Sequence, residues 1–362
     1  MVTVGRVEFG RKLSAMASVQ SITAKRYPLL GLVQDGSLRL WQDGDMPVWK
    51  SEEIDTDENF FFSVPTGKLK EIVSKFQGSS IDLLSDNRGS LIIQSGRSSV
   101  SVPYMEGVYD EIPTPPTLQL SCKTDPTFVS FLAKSKDFCA KTFDQEGLIY
   151  TFIGSIENQF LISGTNGFSA FTSFVPYIGD EMPDVVVPTE FAVAASKLVS
   201  GDSDVCMGIS ENRGHVVISN EDTTIYTPRV QREYPTNIIK LALNDGVRLF
   251  DADRQEFISK LKIALQTTSQ DLIGVEPNNE GGITVTVPRS SIGANLVIED
   301  AKIVTDFDIT YFQLPFLIQS LSAVLSERVN IDLLPDFNGA FRISSDDNTA
   351  AATVLPHIIT SP

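Results

Sequence analysis

Few residues in this chain could carry out chemistry. Two histidines, His215 and His357, and three cysteines, Cys122, Cys139 and Cys206, occur in 362 residues. Proton transfer near neutral pH usually relies on His, and nucleophilic triads need one beside a Ser or Cys, so little material exists for either. The cysteines stand far apart without a CxxC pair. That argues against a thiolate zinc site and against a disulfide framework, and it points to a reducing cytoplasm. Two carboxylate pairs could act as acid and base, Asp251 with Asp253 and Glu52 with Glu53, but they read as a helix cap and a solvated turn. With no Gly-rich phosphate loop either, the sequence calls for no enzyme, no cofactor and no metal.

The cations are more informative. Asp and Glu number 46 against 29 Lys and Arg, a net charge of -17, which ordinarily argues against nucleic acid. Lysines nevertheless recur at helical spacing. Lys68 and Lys75 are seven apart, Lys134 and Lys141 repeat that interval, and Lys260 and Lys262 lie off an apolar stripe. Taken alone, such rows are most often solvated helix faces.

The elements that would position them form a repeat. Residues 81–94 read IDLLSDNRGSLIIQ, 206–219 read CMGISENRGHVVIS and 331–344 read IDLLPDFNGAFRIS, each 125 residues after the last. Each block reads as a hairpin in which Gly89, Gly214 or Gly339 supplies a positive φ. Pro65, Pro188 and Pro315 open helical patterns near 66–76, 189–199 and 315–325, where a missing N–H costs nothing. Phe257, Ile258, Leu261, Ala264 and Leu265 mark a helix capped by Asp251 or Asp253. Phe128, Leu132, Ser135 and Cys139 mark its counterpart after Asp125, and residues 9–20 carry a weaker version. Strand patterns of period two fill the rest. The expectation is an α+β chain of three tandem homologous domains, 1–115, 116–241 and 242–362, each with two helices packed on antiparallel sheets. The Pro-rich 113–117 and the stretch 235–245 read as linkers. No apolar run is long enough for a membrane span, and the first residues show no secretory leader.

On these residues the chain resembles the bacterial DNA polymerase III β sliding-clamp family, including phage-borne members. VPTGKLKEIVSKF at 64–76 with IIQSGRSSVSVP at 92–103, GTNGFSAF at 164–171, REYPTNI at 232–238 and ATVLP at 352–356 are similar to segments of that family, in the family's order. The resemblance implies a head-to-tail homodimeric ring that encircles double-stranded DNA, is opened by an ATP-dependent clamp loader, and tethers a DNA polymerase without catalysis of its own. It also resolves the charge paradox, because a ring held by topology needs no tight phosphate contacts.

Carried over position by position, the DNA-facing residues would be Lys25, Arg26, Lys68, Lys75, Lys134, Lys141, Lys197 and Lys260. The helix at 315–325 contributes no Lys or Arg. A partner-peptide groove would use Leu148, Thr165, Gly167, Phe168, Pro235, Thr353, Leu355 and Pro356. Phe168, Ser169 and Ala170 replace the family's His-Arg-Leu. Val100, Val102 and Leu265 would pack across the dimer, with Thr267 and Thr268 where the family has apolar residues. The competing reading is a β-rich phage structural or assembly protein, for which a second layer of paired helices is a poorer fit.

Overall fold

The computed structural model describes residues 1–23, 28–86, 88–105, 112–141, 148–199, 203–244, 246–267, 271–278, 281–287, 295–337 and 339–357. The first third runs β1 (Val2–Gly5), α1 (Arg6–Thr23), β2 (Pro28–Gln34), β3 (Ser37–Gln42), β4 (Val48–Glu53), β5 (Phe60–Pro65), α2 (Thr66–Lys75), β6 (Ser80–Ser85), β7 (Ser90–Ser95) and β8 (Ser98–Pro103). The middle third repeats that order as β9 (Leu118–Thr124), α3 (Thr127–Phe138), β10 (Tyr150–Ile156), β11 (Gln159–Thr165), β12 (Ser169–Gly179), β13 (Val185–Pro188), α4 (Thr189–Leu198), β14 (Val205–Ser210), β15 (His215–Ser219) and β16 (Thr223–Pro228). After a short α5 (Asn237–Leu243), the last third runs β17 (Val247–Asp253), α6 (Arg254–Thr267), β18 (Leu272–Pro277), β19 (Ile283–Thr286), β20 (Asn295–Ile298), β21 (Ala301–Ile303), β22 (Thr310–Gln313), α7 (Leu314–Ala323), β23 (Arg328–Leu334), β24 (Ala340–Ser344) and β25 (Ala350–Val354). The order β-α-β4-α-β3 thus occurs three times, with one extra strand, β21, in the last.

By contacts the chain divides into two compact units, Met1–Ser130 with Tyr177–Val230, and Phe131–Pro176 with Gln231–Pro362. The first unit holds the four-stranded sheet β1-β6-β7-β8 and an eight-stranded antiparallel sheet β5-β2-β3-β4-β16-β15-β14-β9. The second holds the four-stranded sheet β20-β19-β18-β22 and the eight-stranded β10-β11-β12-β25-β24-β23-β17-β21. In each unit two repeats join by one rule: β4 pairs with β16, and β12 pairs with β25. The strands equivalent to these partners, β8 and β20, are sheet edges among the described residues.

Helix starts follow local chemistry. Pro65 and Pro188 stand at the N-caps of α2 and α4, and Pro315 lies in the first turn of α7. Asp125 accepts from Thr127 N at 2.7 Å, and Asp253 accepts from Glu256 N at 2.6 Å, so Asp253 is the cap of α6. The stripe on α1 comprises Phe9, Leu13, Met16 and Val19, all buried, and includes Lys12 at 6% exposure. A charge on the apolar face is why this helix reads weakly in sequence. Lys12 Nζ is satisfied there by Glu52 Oε2 at 3.0 Å and lies 3.8 Å from Asp222.

Two expectations change. Gly89 (φ 90°) and Gly339 (φ 73°) take the left-handed conformation, but in the middle hairpin the positive φ falls on Arg213 (φ 53°) rather than on Gly214. There Asn212 Oδ1 accepts from Gly214 N at 2.9 Å, and this Asx turn shifts the strained residue by one. The stretch 235–245 is no bare linker, because α5 forms within it and packs against β25.

Candidate partner groove and basic helix faces

The second unit assembles most of the groove residues at the β11–β12 turn. Asn166 Oδ1 accepts from Phe168 N and Ser169 N, both at 2.9 Å. Thr165 Oγ1 accepts from Gly167 N at 3.1 Å and donates to Ser169 O at 2.9 Å. With its polar groups consumed locally and Gly167 at φ 87°, the turn is sealed and the Phe168 ring is left outside, 53% exposed. That ring stacks on Phe316 in the first turn of α7, with centroids 5.8 Å apart and planes 8° from parallel. Leu355 N donates to Phe168 O at 3.0 Å, which draws the segment after β25, with half-buried Leu355 and Pro356, alongside the turn.

Beneath lies a floor of small residues. Thr165 is opposite Ala170, and Ala170 is opposite Thr353, one row across β11, β12 and β25. Leu148 Cδ1 stands 3.6 Å from where a Cβ on Gly167 would lie, and Leu148 O accepts from Ala140 N at 2.9 Å, which ties this leucine to the end of α3. Pro235 is positioned through its neighbour. Tyr234 is buried, its ring stacks on Phe152 at 5.0 Å, and its hydroxyl donates to Ser163 Oγ at 3.3 Å. Burial pushes the Tyr234 hydroxyl pKa up, so it remains a neutral donor. Half-exposed aromatic and aliphatic groups over a small-residue floor can bind the large side chains of an extended segment.

Phe316 was not among the residues singled out from the sequence. Its signal was available, since Leu314, Leu317 and Leu321 of α7 are buried while Phe316, a large apolar residue, falls beside their stripe.

The lysines differ in their surroundings. Lys68 and Lys141 are exposed. Lys75 is exposed and ion-paired with Glu71 one turn earlier, which holds that carboxyl below its usual range. Lys260 lies 3.9 Å from Glu256. Lys134 departs from its row: its ammonium donates to Ala323 O at the end of α7 at 2.8 Å, and desolvation, aided by Arg254, pushes its pKa down to about 8. Lys197 is exposed at a cavity also lined by Arg11, Lys12, Lys50 and Asp222. Lys25 and Arg26 lie outside the described residues.

At the edge strand β8, Val100 is 39% exposed but Val102 is fully buried. Within one chain, therefore, Val100 and not Val102 presents side-chain surface on that strand. Leu265 and Ile263 on α6 are exposed. Thr267 ends that helix, and Thr268 lies outside the described residues. Among the described residues no group of His, Cys, Asp and Glu could hold a metal ion, and no helix is long and apolar enough to cross a membrane.

No protein-family model matches the chain, and no curated protein matches it significantly. Solved structures do match. The DNA polymerase sliding clamp from Pseudomonas aeruginosa aligns over 99% of both chains with a TM-score of 0.82 at 17% identity. The DNA polymerase III β subunit from Thermotoga maritima aligns over 99% of both with a TM-score of 0.82 at 15% identity. A sliding clamp from Bartonella birtlesii, solved bound to griselimycin, gives 0.81 at 17% identity over the same share. At these identities it is the course of the backbone that is shared, end to end, and the chain therefore has the fold of the bacterial DNA polymerase III β sliding clamps.

Proposed function

We propose that this chain is a DNA sliding clamp, a processivity factor that encircles duplex DNA and tethers a DNA polymerase through the Phe168–Leu355 groove. The observation that carries this reading is the backbone match over 99% of both chains to clamps with TM-scores near 0.8. It acts by topology rather than catalysis, in the cytoplasm, and needs an ATP-dependent loader to open it.

The joining rule within the units supports a head-to-tail dimer. Each internal junction pairs a strand of the β4/β12 class with one of the β16/β25 class, and the members left over are β20 and β8. Pairing β8 of one copy with β20 of a second satisfies both edges, and repeating it closes a two-fold ring of three repeats per copy, with domains 1–115, 116–241 and 242–362. Exposed Val100 on one side and Leu265 on the other supply apolar cover. Exposed Lys68 and Lys141 face DNA in this reading, with Lys75, Lys197 and Lys260 beside them.

The test is retention on nicked circular DNA after loader-driven assembly, followed by linearisation. Release on cutting is expected, because only a topological link is lost by making ends. Persistent binding to the linear form would overturn the clamp reading.

A further inference from the structure

The first unit contains a basic cavity of which the clamp reading uses only Lys197, at the mouth. It measures about 60 Å³ and is lined by Arg11, Lys12 and Ala15 of α1, Lys50 of β4, Lys197 and Leu198 of α4, and Asp222 before β16. Such a volume holds a few water-sized spheres, room for a small oxyanion. Four cations converge there, Arg11 among them paired with Glu8 at 2.9 Å, in a chain of net charge -17. Two of their heads are recessed, with Lys12 at 6% and Lys50 at 5% exposure. Lys12 is matched by Glu52 at 3.0 Å. Lys50 meets Asp222 through a hydroxyl. Its ammonium donates to Thr223 Oγ1 at 2.5 Å, and that hydroxyl itself donates to Asp222 Oδ1 at 2.7 Å. A buried ammonium whose carboxylate partner stands one hydroxyl away is incompletely compensated, and a further anion in direct contact would stabilise it. Burial lowers the Lys50 pKa, Asp222 opposes it, and Lys12 and Arg11 add to it, so an anion in the cavity would act in the same sense as Asp222.

We propose that this cavity is a binding site for a small free oxyanion of the phosphate class, held by Lys50 and Lys12 with Arg11 and Lys197 at its mouth. A phosphate within a duplex carries the same chemistry, but heads this far recessed suit an ion that can enter the cavity.

The experiment titrates the full chain with inorganic phosphate and with pyrophosphate, by calorimetry and by phosphorus NMR line broadening. One saturable site per chain is expected at millimolar or lower concentration. Lys50→Met, close in shape and without the buried charge, should weaken binding at least tenfold while remaining folded by circular dichroism. Lys197→Ala at the mouth should weaken it less. Asp222→Asn should tighten binding by removing a competing charge, a gain that mere loss of structure would not produce. Absence of saturable binding, or unchanged affinity in Lys50→Met, would overturn the proposal. A second arm adds a short duplex at saturation. Pyrophosphate should stay bound, and its displacement would assign the site to nucleic-acid phosphate and overturn the free-anion reading.

Discussion

Replacing Gly167 by Leu separates a real groove from a chance cluster. Gly167 has φ 87°, a conformation that costs an L-residue about 1–2 kcal/mol. A Cβ there would lie 3.6 Å from Leu148 Cδ1, an ordinary contact, so Gly167→Ala suffers the backbone cost and nothing more. A Leu side chain adds three further carbons beyond that Cβ, which must occupy space the groove reading assigns to a peptide anchor. Both variants should therefore lose similar stability, about 2–4 °C in Tm per kcal/mol for units of this size. Only the Leu variant should exclude one anchor of the incoming peptide. A buried apolar side chain contributes roughly 1.5–3 kcal/mol, and tenfold in Kd corresponds to about 1.4 kcal/mol, so its peptide Kd should rise roughly 10- to 100-fold over that of the Ala variant. The assay is calorimetry with a short peptide carrying two large apolar residues, on variants matched for folding by near-UV circular dichroism. If the folded Leu variant binds as tightly as the Ala variant, the groove reasoning is refuted, and the docking surface lies elsewhere.

The other expectations rest on separate parts of the molecule. Asp332, 3% exposed, accepts from Arg342 Nη1 at 3.1 Å and is ion-paired with Arg248, so Asp332→Ala removes an acceptor shared by two part-exposed guanidinium groups and should cost about 1–3 kcal/mol in urea denaturation. Lys134, held near pKa 8 in the folded chain against an ordinary 10.5, binds fewer protons folded than unfolded between those values. Stability should rise as pH climbs through that window, and Lys134→Met should flatten the rise in urea midpoints measured at several pH values; an unchanged slope would place the effect on another group. Val100→Asp at the β8 edge should shift light scattering from twice the chain mass toward the monomer, with little change in Tm, and a stable dimer in this variant would exclude that edge from the interface.

Much of the local architecture was legible in the residues. Helix starts at Pro65, Pro188, Asp125 and Asp253 are visible because capping and proline chemistry act within a few residues of the chain. Lys12 misled because its counter-ion, Glu52, lies on β4, and a charge is expected on an apolar stripe only once its partner is known. Val100 and Val102 share a strand face with identical spacing, yet one is covered and the other is not, since cover depends on how far the helices and neighbouring strands extend over that face.

The sequence by itself determined the threefold repeat and the alternation of helix and strand, because period and turn chemistry are written along the chain. Tertiary structure decided the rest. It alone paired β4 with β16 and β12 with β25, so that contacts gather the repeats into two units, and it alone set Phe316 against Phe168 and drew Lys12, Lys50 and Asp222 around one cavity. The physical reason is that strand-edge pairing uses backbone hydrogen bonds common to every residue. Local pattern therefore specifies which face is buried, and only the summed packing of distant elements specifies which edge meets which.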